Sequence, residues 1–496
     1  MADQDRDSIS ARISPDCPPE TQKVLTAAWA HDVAAVKKLL DTPDASRCQD
    51  PTTGETPLHA AIRSCGPPSE DDTPEDLEAA NKTVYELLLW GAIWNDVDNH
   101  NETPGCVADR LNRPDLYNLC LEAGVRAEML FGLMNGYEEL SSGDEDEDEE
   151  MEDGEEAPEL VALPEEEDKT EQTEAAAVPA EEQEQQPPRK KDVNSEDYLR
   201  STVTYSDGKL VDDEGNGVMM AWETDIMRRS VDVLLPSENK TGKRILNIGF
   251  GMGIIDGMFA ETKPSKHHII EAHPEVLEYI RTPESKFDST WEESGPEPGA
   301  YAVHEGKWQQ VCLQLLQEGQ VYDAIYFDTF GEDYGQLRMF FTEFIPGLLD
   351  SQGIFSFFNG LGADRKICYD VYTKVADMHM ADAGLDVEWK EIDVDMKDLA
   401  EAGKGEWEGV RRRYWTLDSK YIVLLAVAIS NHLQNIVSRS VRSWGSRFGN
   451  STHPIFDEPL CLSEIYEAQL TNPIVHKRDI MTLVVITNAS SHLRLS

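Results

Sequence analysis

From Arg244 to Asn359 short apolar runs alternate with helix-forming stretches, and this alternation constrains the fold more than any other feature of the chain. Arg244–Ile248, His267–Glu271, Ala300–His304, Tyr322–Asp328 and Gly353–Asn359 read as strands. Ile254–Phe259, Val276–Ile280, Gln309–Leu316 and Leu337–Leu349 read as the helices between them. Strand–helix–strand units in that order predict an α/β fold, a parallel sheet with helices on both faces. Just upstream, Tyr198–Leu210 reads as extended and Met219–Leu235 as a helix.

The chain has 496 residues, room for two or three domains, and its charge divides them. Between Ser141 and Glu184 there are 21 Asp or Glu and one Lys. Such a block repels itself and has almost nothing to bury, so 140–192 reads as a disordered linker. It serves either as a solvated spacer or as a docking tail for a basic substrate. The formal charge of −51 argues against direct nucleic-acid binding through a basic surface. Eight scattered cysteines, no C-x-x-C pair and no signal peptide point to reduced thiols in the cytoplasm or nucleus. The longest apolar run, Tyr421–Ile429, is too short to cross a bilayer.

Residues 20–139 read as an all-α module. Val24–Leu40 has helical spacing broken at His31-Asp32, and Val84–Trp90 forms a second helix ended by Gly91. Thr56-Pro57-Leu58-His59-Ala60-Ala61 is close to the ankyrin signature T-P-L-H-x-A. Thr103-Pro104 restarts a degenerate copy 47 residues on, with Cys65–Glu78 as an inserted loop. An ankyrin-like module is favoured over an unrelated helical domain. It either stabilises the chain or binds a partner protein, and it is expected to be removable without loss of cofactor binding.

Chemistry concentrates at Gly249-Phe250-Gly251-Met252-Gly253, which follows the first strand and opens a helix. Such a turn lets a nucleotide approach the backbone closely. Ile254 replaces the last glycine of the dinucleotide pattern, which disfavours NAD and favours S-adenosylmethionine, a ligand without pyrophosphate. Glu271, ending the next strand, can accept both hydroxyls of an adenosine ribose. Asp328 lies at the carboxyl end of its strand, and Glu223 just before the glycine-loop strand. Each is either a solvated surface group or, as a pair on one cavity, a bidentate partner for a guanidinium. The histidines form no ligand-spaced cluster, so no metal is expected.

Five motifs in order carry a specific resemblance. They are Gly217–Thr224, Asn247–Ile255, Ile270–Pro274, Gly306–Gln309 and Tyr326–Phe330. Residues 198–414 resemble the guanidinoacetate methyltransferase-related family, and the layout with ankyrin-like repeats resembles its fungal protein-arginine members. The resemblance implies a Rossmann-like methyltransferase domain over 193–420, with S-adenosylmethionine as methyl donor and no metal. It implies that Phe250, Gly251, Met252, Gly253, Ile254 and Ile255 line the cofactor site with Glu271, Ala272 and His273. Trp308 and Gln309 would lie near the adenine, and Met227 and Tyr198 across the cofactor. Asp328 would sit beside the methionine moiety and the acceptor, and Glu223 would hold the guanidinium. The implied reaction is methylation of the δ (N5) nitrogen of arginine in a protein, with a ribosomal protein the expected substrate and a monomer the expected enzyme. Two other readings stand beside it: a small-molecule guanidino methyltransferase, and a binding scaffold with an inactive methyltransferase-like domain.

The C-terminus departs from the pattern. Some 78 residues follow from Ser419 without a family-like motif. Ser419-Lys420-Tyr421 can be encoded AGT-AAG-TAT, which contains a splice-donor sequence, so 421–496 reads as a retained intron or mispredicted gene end. The alternative is a helical extension over Tyr421–Val437, and Tyr421–Leu425 could also supply the missing last strand.

Overall fold

The computed structural model describes residues 7–141, 194–236, 240–411, 413–417 and 420–428. The acidic linker and the segment from Ser440 onward therefore lie outside the described residues.

Three short strands come first: β1 (Val203–Ser206), β2 (Lys209–Asp212) and β3 (Gly217–Met220), an antiparallel sheet of its own. The expected helix over Met219–Leu235 is thus shorter, Thr224–Leu234, because Met219 and Met220 pair across to β2 instead of turning. The main sheet holds β4 (Arg244–Ile248), β5 (Lys266–Glu271), β6 (Tyr301–Glu305), β7 (Tyr322–Phe327), β8 (Leu349–Phe357), β9 (Leu385–Asp393) and β10 (Lys420–Ala428). Their order is β6-β5-β4-β7-β8-β10-β9. The pairs among β4 to β8 are parallel, and β10 runs antiparallel between β8 and β9.

Both faces of the parallel strands are buried, and side chains alternate between them. Leu246, Ile248, Ile325, Phe327, Phe355 and Phe357 face one core; Ile245, Ile269, Ala324 and Tyr326 face the other. The chain reverses direction in the sheet beside β4, where neighbours β5 and β7 are reached by opposite crossovers. That switch point opens a crevice at the carboxyl ends of the strands.

β10 corrects the reading of a helical extension over Tyr421–Val437. Residues 420–428 form an interior strand, with Lys420 opposite Asp393 and Ala428 opposite Leu385. A β-branched and apolar run fits a strand paired on both edges. Ending the chain at Asp418 leaves β8 and β9 without this partner, so the expected result is an insoluble product, read by recovery of soluble protein.

The N-terminal helices follow their sequence signals closely. Thr56 Oγ1 accepts the His59 N–H at 3.3 Å and Thr103 Oγ1 accepts that of Cys106 at 3.2 Å, each with proline in the first turn. The expected inserted loop is shorter, because Thr73 caps a helix over Pro74–Leu89. Arg12 and Arg63 are buried together with Glu55 and Asp98, the Arg12 Nε–Glu55 and Arg63 Nη2–Asp98 contacts each being 2.8 Å.

These helices do not stand apart from the sheet domain. Ile367, Cys368, Val371 and Val375 of the helix Lys366–Asp382 are buried in the same core as Val107, Leu116 and Cys120. A Cβ at Gly105 would lie 2.6 Å from Ile367, and one at Gly124 would lie 2.6 Å from Val371. Tyr117 donates to Asp370 at 2.6 Å across the same interface. Removal of the module, expected to leave cofactor binding intact, would therefore uncover an apolar helix face.

Candidate active site

Two cavities meet at the carboxyl ends of β4 and β7. The first, about 630 Å3, is bounded by Tyr198, Gly251, Glu271, Ala272, Trp308, Gln309 and Asp328 among others. The second, about 1250 Å3, is bounded by Glu223, Asp328, Phe358, Gly360 and Tyr414 among others. Asp328, Thr329, Phe330, Glu332 and Val218 border both. Asp328 thus stands where a molecule in one cavity would touch a molecule in the other.

The first cavity is shaped by the glycine loop. Gly249 has φ +92, and a Cβ there would lie 1.8 Å from the Asp328 carbonyl oxygen. Only glycine permits the loop to close on the end of β7 in this way. Glu271 braces it: Oε2 accepts the Phe250 N–H at 2.9 Å, and Oε1 accepts those of Ala272 and His273 at 2.8 and 2.7 Å. A carboxylate has about four acceptor sites, so one remains for a ligand. Beneath the loop, buried Asn247 donates to Asp256 at 2.8 Å, and Asp256 pairs with His267 at 2.9 Å. Trp308 donates through Nε1 to Glu332 at 3.0 Å. Gln309 donates to Gln336 at 2.8 Å, while its buried Oε1 has no hydrogen-bond partner among the described residues.

The second cavity is acidic. Glu223 is buried, with Oε1 accepting the Tyr414 hydroxyl at 2.5 Å and Oε2 accepting the Met220 N–H at 3.1 Å. Burial pushes its pKa up to about 7, against the pull of those two hydrogen bonds. Asp328, half-buried, is held well above the ordinary carboxyl value, first by burial and then by the charge of Glu223. Two carboxylates that resist ionising together are primed to receive a cation. Glu332 and Asp333 add two more acidic groups to the lining, and among the described residues no Lys, Arg or His borders this cavity.

Comparison with known proteins shows the family to which the chain belongs. The family model described as guanidinoacetate N-methyltransferase matches residues 196–388. A protein arginine N-methyltransferase 2 of Neurospora crassa is 76% identical over 84% of this chain and 97% of its own length. Its counterpart in Gibberella zeae is 62% identical over 86% of this chain and 98% of its own. That of Emericella nidulans is 44% identical, covering 80% and 94%. The chain belongs to the protein arginine N-methyltransferase 2 family. It is a methyltransferase.

Within this family member, the residues expected at the cofactor and the acceptor separate into two groups. Tyr198, Gly251, Glu271, Ala272, Trp308, Gln309 and Asp328 border the first cavity, and Glu223 the second. Met227, Phe250 and Ile255 are buried in the core behind the glycine loop, with Met252 and Ile254 packed against it. Gly253 caps the following helix with φ +70. His273 is fully buried; its Nε2 donates to the Ser201 carbonyl at 3.2 Å and its Nδ1 accepts from Glu275 N–H at 3.2 Å. These residues support the cavity wall and do not border it. Sequence reasoning passed over Tyr414, Thr329, Phe330, Glu332 and Met219. The motifs Tyr326–Phe330 and Gly217–Thr224 held the signal for three of them, and Tyr414 ends the stretch that carries the resemblance.

Proposed function

We propose that this enzyme transfers a methyl group from S-adenosylmethionine to the δ nitrogen of an arginine side chain in a protein. The observation that carries the reading is the second cavity, lined by Glu223, Asp328, Glu332 and Asp333 with no cation among the described residues. A guanidinium suits that lining, whereas a free amino-acid-like acceptor would bring a carboxylate into it unpaired. The first cavity fits the donor: the unpartnered Gln309 Oε1 can accept from an adenine amino group, and Glu271 keeps one acceptor site for a ribose hydroxyl. A grip on both hydroxyls would require Glu271 to release one backbone N–H.

When bound, S-adenosylmethionine supplies a methyl on a sulfonium, already an activated donor. The protein has then to orient the acceptor and manage charge. Glu223 and Asp328 pair with the guanidinium and turn one nitrogen towards the junction of the cavities. Methylation adds positive charge to a group already charged, so one N–H proton must leave, and these carboxylates are placed to accept it.

We further infer that the N-terminal helix pairs are ankyrin-like and that a basic, ribosomal protein is the substrate, met in cytoplasm or nucleus. The net charge of the chain supports a basic partner. Mass spectrometry of a methylated substrate tests nitrogen and substrate together: methyl on a terminal nitrogen overturns the δ assignment. Turnover of guanidinoacetate in preference to basic proteins would favour the small-molecule reading.

For the donor site, Gly251→Arg sets a long side chain against Met219, whose Sδ a Cβ would approach to 2.8 Å. Together with Asp328→Ala it is expected to weaken S-adenosylmethionine binding at least tenfold, measured by equilibrium titration. Unchanged affinity in both variants removes the cavity assignment.

A further inference from the structure

One hydroxyl in the acceptor cavity comes from neither the glycine loop nor the sheet. Tyr414 lies in an irregular segment near the C-terminal strand, yet its hydroxyl meets Glu223 Oε1 at 2.5 Å. The Met220 N–H holds the other oxygen. Both oxygens of a single carboxylate are therefore fixed before any acceptor arrives. The tyrosine ring is itself held: Trp407 meets it edge-on at 4.9 Å between centroids, and Trp222 lies at 6.1 Å. The Trp407 indole N–H donates to the Leu399 carbonyl at 2.9 Å, anchoring that ring in turn. A Cβ at position 217 would come to 3.0 Å of Tyr414 Cε1, so Gly217 lets β3 close on the ring.

We propose that Tyr414 is the positioning residue of the acceptor site, its hydroxyl fixing the Glu223 carboxylate in the orientation that receives the substrate guanidinium. The proposal rests on the acceptor reading of Glu223 given above. A phenol–carboxylate hydrogen bond is short and strong, and it favours the ionised carboxylate, the form a guanidinium needs. The other titratable groups facing Glu223 are Asp328 and the buried phenol of Tyr326, and the Glu223 charge opposes the ionisation of both. Tyr414, unlike those two, donates a hydrogen bond to it.

The test is Tyr414→Phe in the full chain, which removes one oxygen and keeps the ring among the tryptophans. S-adenosylmethionine affinity should stay within about twofold, while KM for an arginine-bearing protein substrate rises about tenfold. The rising limb of kcat/KM against pH should move to higher pH by about one unit. Gly217→Ala, which presses on the ring without touching the hydroxyl, should give a smaller shift in the same direction. In a Glu223→Gln background, Tyr414→Phe should cost nothing further, since both act through one carboxylate. Unchanged KM and pH profile in Tyr414→Phe overturn the proposal, as do additive losses in the double variant. Wild-type turnover by Glu223→Gln alone instead overturns the acceptor reading beneath it.

Discussion

Glu223→Gln is expected to lower kcat/KM on an arginine-bearing protein by about a hundredfold while S-adenosylmethionine affinity stays as in the wild type. The substitution keeps shape and removes the charge that a buried guanidinium requires; truncating one side of such a pair typically costs about 2–5 kcal/mol. Donor affinity is spared because Glu223 borders the second cavity and not the first. The pH dependence follows from its elevated pKa. In the wild type, kcat/KM should rise through pH 7 as Glu223 ionises, and the variant should lose that limb.

Stability carries the opposite sign. A carboxyl raised from its ordinary 4.5 to about 7 binds its proton more tightly in the folded state. The fold therefore loses stability as pH rises between those values, and Glu223→Gln should flatten that part of the curve. Denaturant titrations at pH 5 and pH 7.5 read this directly. Wild-type turnover with an unaltered pH profile would return Glu223 to a structural role.

The second large effect concerns the N-terminal helices. A chain beginning at Asn194 exposes Ile367, Val371 and Val375, which are fully buried in the intact protein. Uncovering three aliphatic side chains costs about 6 kcal/mol, comparable to the whole stability of many domains. The expected result is aggregation or a steep fall in melting temperature. The helix Lys366–Asp382 also follows the loop carrying Phe358, Gly360, Leu361 and Gly362, so the acceptor cavity should suffer before the donor cavity. Gly124→Val, which overpacks the same interface against Val371, should act similarly in the full chain. A truncated protein with normal melting behaviour and donor affinity sinks the claim that the two parts share a core.

The lining of the first cavity, the proposed donor site, was legible because its residues follow local signals. Gly249, Glu271, Trp308 and Asp328 each sit at a strand end or helix start, and a parallel sheet gathers all strand ends on one edge. Period and turn residues alone place β4 to β8. For the second cavity, the proposed acceptor site, sequence supplied Glu223 and Asp328, and the rest required tertiary structure because it is built from pieces distant in sequence. Tyr414 reaches Glu223 across 191 positions, and no periodicity links an irregular segment to a short turn before a helix. The same holds for β10, whose apolar run suits strand or helix until the gap between β8 and β9 selects the strand. It holds also for the helical module, whose own signals fix its caps but say nothing of what covers Ile367 and Val371. Backbone preference and hydrophobic period act over a few residues. Which buried faces meet is decided only when the whole chain excludes water.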